Sequence, residues 1–152
     1  VYLQEGMTAI DLGCGPGMFT LAMARLVGET GRVIAVDLQP KMLELVREKA
    51  LAHHLAARIR IHRNTMDSIG LTEHADFILS FYMVHEVKDQ RAFLREVRGL
   101  LSPGGKYLVV EPMAVSRREF TETVRLAQEA GLEVLEYRNR WYSHRALFGP
   151  AP

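Results

Sequence analysis

An apolar run of strand length, Met7 to Leu12, passes into a helix-forming stretch, Met18 to Val27, through Asp11-Leu12-Gly13-Cys14-Gly15-Pro16-Gly17. Glycines at such a junction allow a tight turn and let a ligand approach the backbone, while the helix N-terminus beyond offers unpaired N–H groups to a carboxylate or phosphate. A second apolar run, Arg32 to Val36, ends at Asp37, twenty residues after Gly17. In a doubly wound sheet the ends of neighbouring strands meet at one crevice, so Asp37 is set to accept hydrogen bonds from both hydroxyls of a ribose. Each such charge-assisted bond is worth about 1.5–3 kcal/mol. A glycine-rich loop alone is a common structural turn; with an acid at the next strand end it predicts a nucleoside-binding α/β fold.

The rest of the chain keeps the alternation of strand-length apolar runs and helical periods that builds a parallel sheet with crossover helices. Pro40 stands where a first helical turn accepts proline, and Met42, Leu43, Leu45, Val46 and Ala50 give that helix an apolar face. Arg58 to Arg63 alternates basic with apolar residues, the pattern of a charged edge strand. Asp76 to Phe81 is apolar on both faces and reads as a central strand. Ser102-Pro103-Gly104-Gly105 ends a helix carrying Phe93, Leu94, Val97, Leu100 and Leu101 and turns the chain into a strand from Lys106 to Glu111. Ser116 and Glu119 read as a capping box. Leu132 to Tyr137 and Trp141 to Phe148, separated only by Arg138-Asn139-Arg140, are too close for a parallel crossover and predict an antiparallel hairpin.

One domain of 152 residues is expected, with 48% hydrophobic and 24% charged residues and a formal net charge of +1. That balance gives no global electrostatic case for nucleic acid or an anionic membrane. A single cysteine, Cys14, excludes an internal disulfide or a thiolate metal cluster and fits a reducing, cytoplasmic setting. No apolar run is of bilayer length, and no His, Cys, Asp or Glu grouping has convincing metal spacing.

The loop spacing is G-x-G-x-G, not the G-x-G-x-x-G of dinucleotide folds, with Asp11 two residues before the first glycine. In this the chain resembles the class I S-adenosylmethionine-dependent methyltransferases. Val33 to Asp37 is similar to that family's second motif, Ala75 to Ile78 to its fourth strand, and Leu100 to Lys106 to the turn before its fifth. Within the superfamily the chain most resembles the branch that includes the ubiquinone and menaquinone biosynthesis methyltransferases. The resemblance implies a Rossmann-like, mostly parallel seven-stranded sheet closed by an antiparallel hairpin. It also implies S-adenosylmethionine as cofactor, with S-adenosylhomocysteine as product, and a small-molecule methyl acceptor. Gly13, Cys14, Gly15 and Gly17 of the loop would approach the cofactor's amino acid end, with Asp11 near its ammonium group. Asp37 would hold the ribose and Leu38 would lie against adenine. Related enzymes place an acid after the third strand; here Asn64 and Thr65 stand there, with Asp67 displaced, so Asn64 is expected either to accept from the adenine amino group or to cap a turn. They also place a helical segment ahead of the first strand. Little precedes Met7 here, so the expectation is an open-mouthed core, either a fragment separated from its covering segment or one covered by a neighbouring subunit of a homodimer.

Ser80-Phe81-Tyr82-Met83-Val84-His85-Glu86 follows the central strand, where the family lines donor and acceptor. Ser80 and Phe81 are expected to contact the donor through their backbones. His85 is a candidate general base or acceptor-orienting group, or else a packing residue bonded to a backbone carbonyl. Tyr82 lines the acceptor pocket or covers the core. Glu111 either points into the same crevice or caps the turn after Pro112. His53-His54 and Arg138, Arg140 and Arg145 read as solvated. Two other functions fit the loop: a nicotinamide-dependent dehydrogenase domain, disfavoured by the terminal hairpin, and a binding protein that keeps the cofactor fold without catalysis.

Overall fold

The computed structural model describes residues 2–152. Strands β1 (Thr8–Leu12), β2 (Arg32–Asp37), β3 (Ile59–Arg63), β4 (Ala75–Phe81), β5 (Leu101–Pro112), β6 (Leu132–Arg140) and β7 (Ser143–Pro150) form one sheet in the order β3-β2-β1-β4-β5-β7-β6. The pairs from β3 through β5 are parallel, and β7 is antiparallel to both β5 and β6. Helices α1 (Met18–Leu26), α2 (Pro40–Ala52), α3 (Gln90–Leu100) and α4 (Arg117–Glu129) complete the doubly wound architecture.

Burial follows the strand patterns. Ile10, Leu12, Ile34, Ile78 and Val109 face Leu94 and Val97 of α3 and Phe120 and Ala127 of α4. On the opposite face Ala9, Val33, Phe77 and Leu79 meet Leu21, Met23 and Ala24 of α1. Such two-sided burial is what makes the central strands continuously apolar, and each large side chain removed from water contributes about 1.5–3 kcal/mol. β3 lies at the sheet edge with Arg60 ion-paired to Glu73, as its charged alternation predicts. The capping box forms: the Glu119 N–H donates to Ser116 Oγ at 3.2 Å and the Ser116 N–H to Glu119 Oε2 at 2.8 Å.

Two sequence expectations need correction. The hairpin link is not Arg138-Asn139-Arg140: β6 runs through Arg140, which pairs with Ser143, and the chain reverses at Trp141-Tyr142. Arginines on the wet face of an edge strand look like loop, while the aromatic pair that makes the turn looks like strand. Likewise β5 already pairs with β4 at Leu101, opposite Ala75, and Ser102 to Gly105 loops out before pairing resumes at Lys106 opposite Phe77.

The strand order reverses between β1 and β4, since β2 and β3 lie on one side of β1 and β5 on the far side of β4. Ligand crevices open outside the carboxyl ends of strands at such a switch point. The loops after β1, β2, β3 and β4 all converge there.

Candidate active site

A cleft of about 370 Å3 occupies that position. Gly13 lines it from the loop after β1, Asp37 and Leu38 from the end of β2, Asn64 and Thr65 from the loop after β3, and Phe81 and Tyr82 from the end of β4. The volume lies in the range of roughly 300–1,000 Å3 usual for small-molecule sites.

The glycine loop is anchored to β2 by hydrogen bonds. The Cys14 N–H donates to Val36 O at 2.9 Å, tying the loop to β2, and the Gly15 N–H donates to Asp37 Oδ2, also at 2.9 Å. The other carboxylate oxygen, Oδ1, accepts from the Gln39 N–H at 2.8 Å. Asp37 is therefore a fixed acid at the cleft wall, with lone pairs remaining for a ligand's hydroxyls. Gly13 has φ 69°, and a Cβ there would lie 2.9 Å from Met83 Cγ. Gly15 has φ 51° and nothing within 4 Å of where its Cβ would be, so the loop's crest is open to an approaching ligand.

Several expected residues lie beneath the cleft surface. Asp11 is buried, and its Oδ2 accepts from Thr20 Oγ1 of α1 at 2.6 Å. Burial raises its pKa to about 6, opposed by the Thr20 bonds and reinforced by Asp37. The Cys14 side chain packs with Ala35, Leu43 and Val46, and burial, with the nearby Asp11 and Asp37 carboxylates, pushes its thiol far above the ordinary range. Gly17 is the N-cap of α1 and faces Val46. Ser80 is buried and its hydroxyl accepts from Tyr107 Oη at 3.0 Å.

The segment after β4 is bent into the cleft. Tyr82 has φ 58°, uncommon for a residue with a side chain; its N–H donates to Val110 O at 2.8 Å and its ring stacks on Phe81 with centroids 4.0 Å apart. It is 40% exposed and lines the cleft, while its ring also covers Phe81, which packs against the core. Such strained backbone positions concentrate at functional sites. His85 sits on the short 3-10 turn Val84–Glu86. Its Nδ1 meets Glu111 Oε2, in place of the backbone carbonyl that a packing role predicts. Glu111 Oε1 accepts from the N–H groups of Val84, at 2.8 Å, and His85, at 3.3 Å, so it holds the turn after β4 and not the one after Pro112.

Asn64 Nδ2 donates to Thr65 O at 2.9 Å, an internal turn contact, while the residue still borders the cleft. Sequence reasoning missed the opposite wall. Glu96 of α3 accepts at Oε2 from the Ile69 N–H at 2.8 Å and from Ser68 Oγ at 3.0 Å, fastening the loop after β3 across the opening. A lone glutamate in an amphipathic helix carries no local sign of this. His53 and His54 are exposed, and Arg138 and Arg145 pair with Glu136, as the solvated reading has it. Among the described residues no group of His, Cys, Asp and Glu is arranged to hold a metal, and no helix is long and apolar enough to cross a membrane.

A sheet of this order, with an open glycine loop after β1 and an acid ending β2, defines the class I S-adenosylmethionine-dependent methyltransferase fold. The chain belongs to the family described as "Methyltransferase domain", whose model matches residues 3–145. It is 32% identical over 110 residues to the ubiquinone/menaquinone biosynthesis C-methyltransferase UbiE of Klebsiella pneumoniae, covering 72% of this chain and 44% of that protein. It is 29% identical over 109 residues to the demethylmenaquinone methyltransferase of Oceanobacillus iheyensis, covering 72% and 46%. The matched stretch thus spans less than half of each relative. A SAM-dependent methyltransferase from Aquifex aeolicus superposes with a TM-score of 0.85 at 25% identity, covering 96% of this chain and 83% of that one. S-adenosylmethionine is the cofactor of the family. The residues here fit it: the space beside Gly15 admits a ligand against the backbone, and Asp37 offers acceptor oxygens at the cleft wall.

Proposed function

We propose that the chain transfers a methyl group from S-adenosylmethionine to a small-molecule acceptor. The observation that carries this reading is one cleft at the switch point gathering Gly13, Asp37, Leu38, Asn64, Thr65, Phe81 and Tyr82. In it the loop from Gly13 to Gly17 receives the cofactor's amino acid end, with Asp11 beneath contributing negative charge toward its ammonium. Asp37 holds the ribose, and Leu38, 39% exposed, lies against adenine with Asn64 and Thr65 at its edge. Phe81 lines the cleft, with buried Ser80 preceding it in β4.

The bound cofactor supplies an electrophilic methyl group on a sulfonium. The protein's main contribution is orientation, which is worth up to roughly 7–11 kcal/mol when two reactants are held in line. Tyr82, with Met83, Val87 and Phe93, gives the acceptor an apolar face. His85, on the turn between the lining residues Met83 and Glu86 though not itself one of them, acts on the acceptor's nucleophilic atom. That lining suits an apolar ring, and the names of the menaquinone and ubiquinone relatives agree with such an acceptor. Near-neutral charge and the Glu136 partners of Arg138 and Arg145 argue against nucleic acid. A reducing cytoplasmic setting suits the buried thiol of Cys14.

Calorimetry tests the cofactor: S-adenosylhomocysteine is expected to bind more tightly than NAD, and the reverse order overturns the reading. A screen of small hydroxylated, aminated and thiol acceptors with radiolabelled methyl donor then tests catalysis. Cofactor affinity without transfer to any of them leaves a binding protein in place of an enzyme.

A further inference from the structure

We propose that the turn between β6 and β7 docks on an anionic lipid surface, with Trp141 and Tyr142 entering the headgroup layer and Arg117, Arg118 and Arg140 meeting lipid phosphates. The turn plays no part in the methyl transfer proposed above, and its docking does not depend on that reading.

Two-residue hairpin turns are ordinarily made by Gly, Asn or Asp, which reach the required backbone angles without strain. Here the turn carries two aromatic residues, Trp141 and Tyr142, 85% and 54% exposed, with their rings edge-to-face and centroids 5.3 Å apart. Met113, 45% exposed, follows the end of β5, where Pro112 pairs with Ser143 beside the turn. An indole and a phenol each join an apolar ring to a polar tip, the combination that settles at a membrane–water interface.

The start of α4 is fastened to this turn. His144 Nε2–H donates to Val115 O at 2.9 Å, and Phe120 stacks on both His144 and Tyr137, with centroids 5.5 and 5.7 Å apart. That packing sets Arg117 and Arg118, in the first turn of α4, at the same end of the sheet as Arg140, and all three are exposed. None of them forms an ion pair among the described residues, because the nearby acids are engaged elsewhere: Glu119 with the Ser116 N–H, Glu122 with Arg125, and Glu136 with Arg138 and Arg145. The net charge of +1 supplies no long-range attraction, so the attraction is local. Three guanidinium groups surround an aromatic tip, and phosphate is an anion that guanidinium holds through two parallel bonds.

Shape favours a bilayer over a protein. A stable protein interface takes roughly 800 Å² from each partner, whereas this turn projects only a few apolar side chains. A bilayer needs no matching concavity, and interfacial side chains beside basic residues are enough for a peripheral contact. Since Phe81 at the end of β4 pairs with Val110 of β5, the docking turn and the mouth of the cleft share one end of the sheet.

Trp141 is the chain's single tryptophan, so its fluorescence reports the contact without any variant. Vesicles of equal parts phosphatidylcholine and phosphatidylglycerol are expected to shift its emission to shorter wavelength, and brominated acyl chains in them to quench it. In cosedimentation, Arg118→Gln and Arg140→Gln are each expected to weaken partitioning onto these vesicles about fivefold. Trp141→Ser is expected to weaken it about tenfold. Melting temperatures should be unchanged in all three variants, since the side chains are exposed. Emission unmoved by the mixed vesicles overturns the proposal. Equal binding to pure phosphatidylcholine vesicles, indifferent to Arg140→Gln, overturns it as well, because the surface recognised is then not anionic. A dimer in solution that Trp141→Ser dissociates assigns the turn to a second copy of the chain and overturns it too. None of these outcomes touches S-adenosylhomocysteine binding, which tests the methyltransferase reading separately.

Discussion

Asp37 does two things with one carboxylate. It closes the glycine loop through Gly15 and orders the entry to α2 through Gln39, and the same oxygens face the cleft. Asp37→Ala should therefore weaken S-adenosylhomocysteine binding by roughly 2–4 kcal/mol, measured by calorimetry, since both ribose bonds and the loop's anchor go together. Asp11 behaves oppositely. Its pKa, raised by burial to about 6 from the ordinary 3.8, means that between those values the folded chain holds a proton that the unfolded chain has released. Its contribution to stability is accordingly greatest below the window, falls as pH rises through it, and leaves a standing cost at neutral pH. Asp11→Asn should flatten the pH dependence of denaturant midpoints across that window and raise stability at neutral pH by on the order of 2–3 kcal/mol. These two acids were legible in the sequence because each ends or follows a strand beside a distinctive loop. The meeting of Glu111 and His85 was not, because it joins residues 26 apart and depends on β5 pairing with β4 in the register Phe81 to Val110.

The loop after β3 shows how one helix residue governs an opening it does not itself resemble. Glu96 holds Ser68, Ile69 and, at 3.4 Å, the Gly70 N–H. Glu96→Ala should speed amide exchange at Ile69 and Gly70 by about tenfold or more, as expected for losing hydrogen bonds to a charged group, and should weaken cofactor binding with little loss of global stability. Elements with a strong period, such as the amphipathic α3 and the alternating β3, could be read directly. The β6–β7 turn could not. There an exposed strand face carries Arg138 and Arg140, and the reversal carries Trp141, 85% exposed, so local polarity points the wrong way and only pairing with β7 decides.

For the whole molecule, ligand binding and folding are linked. At a concentration one hundred times its dissociation constant, S-adenosylhomocysteine should stabilise the fold by about 2.7 kcal/mol. Thermal melting should then rise by about 5–10 °C, whereas NAD at the same concentration should leave it unchanged. A rise with NAD and none with S-adenosylhomocysteine would contradict the fit of the cleft.

The order β5-β7-β6 also has a consequence for synthesis. β6 leaves the ribosome before β7, yet it touches the sheet only through β7, and Phe148 of β7 is buried against Tyr107 with centroids 5.9 Å apart. During translation β6 must wait as an unpaired strand, and β5 keeps an open edge beside it. A ribosome that stalls or stops before Ser143 therefore releases a chain that has lost the docking of two strands, with the apolar face meant for Phe148 left bare.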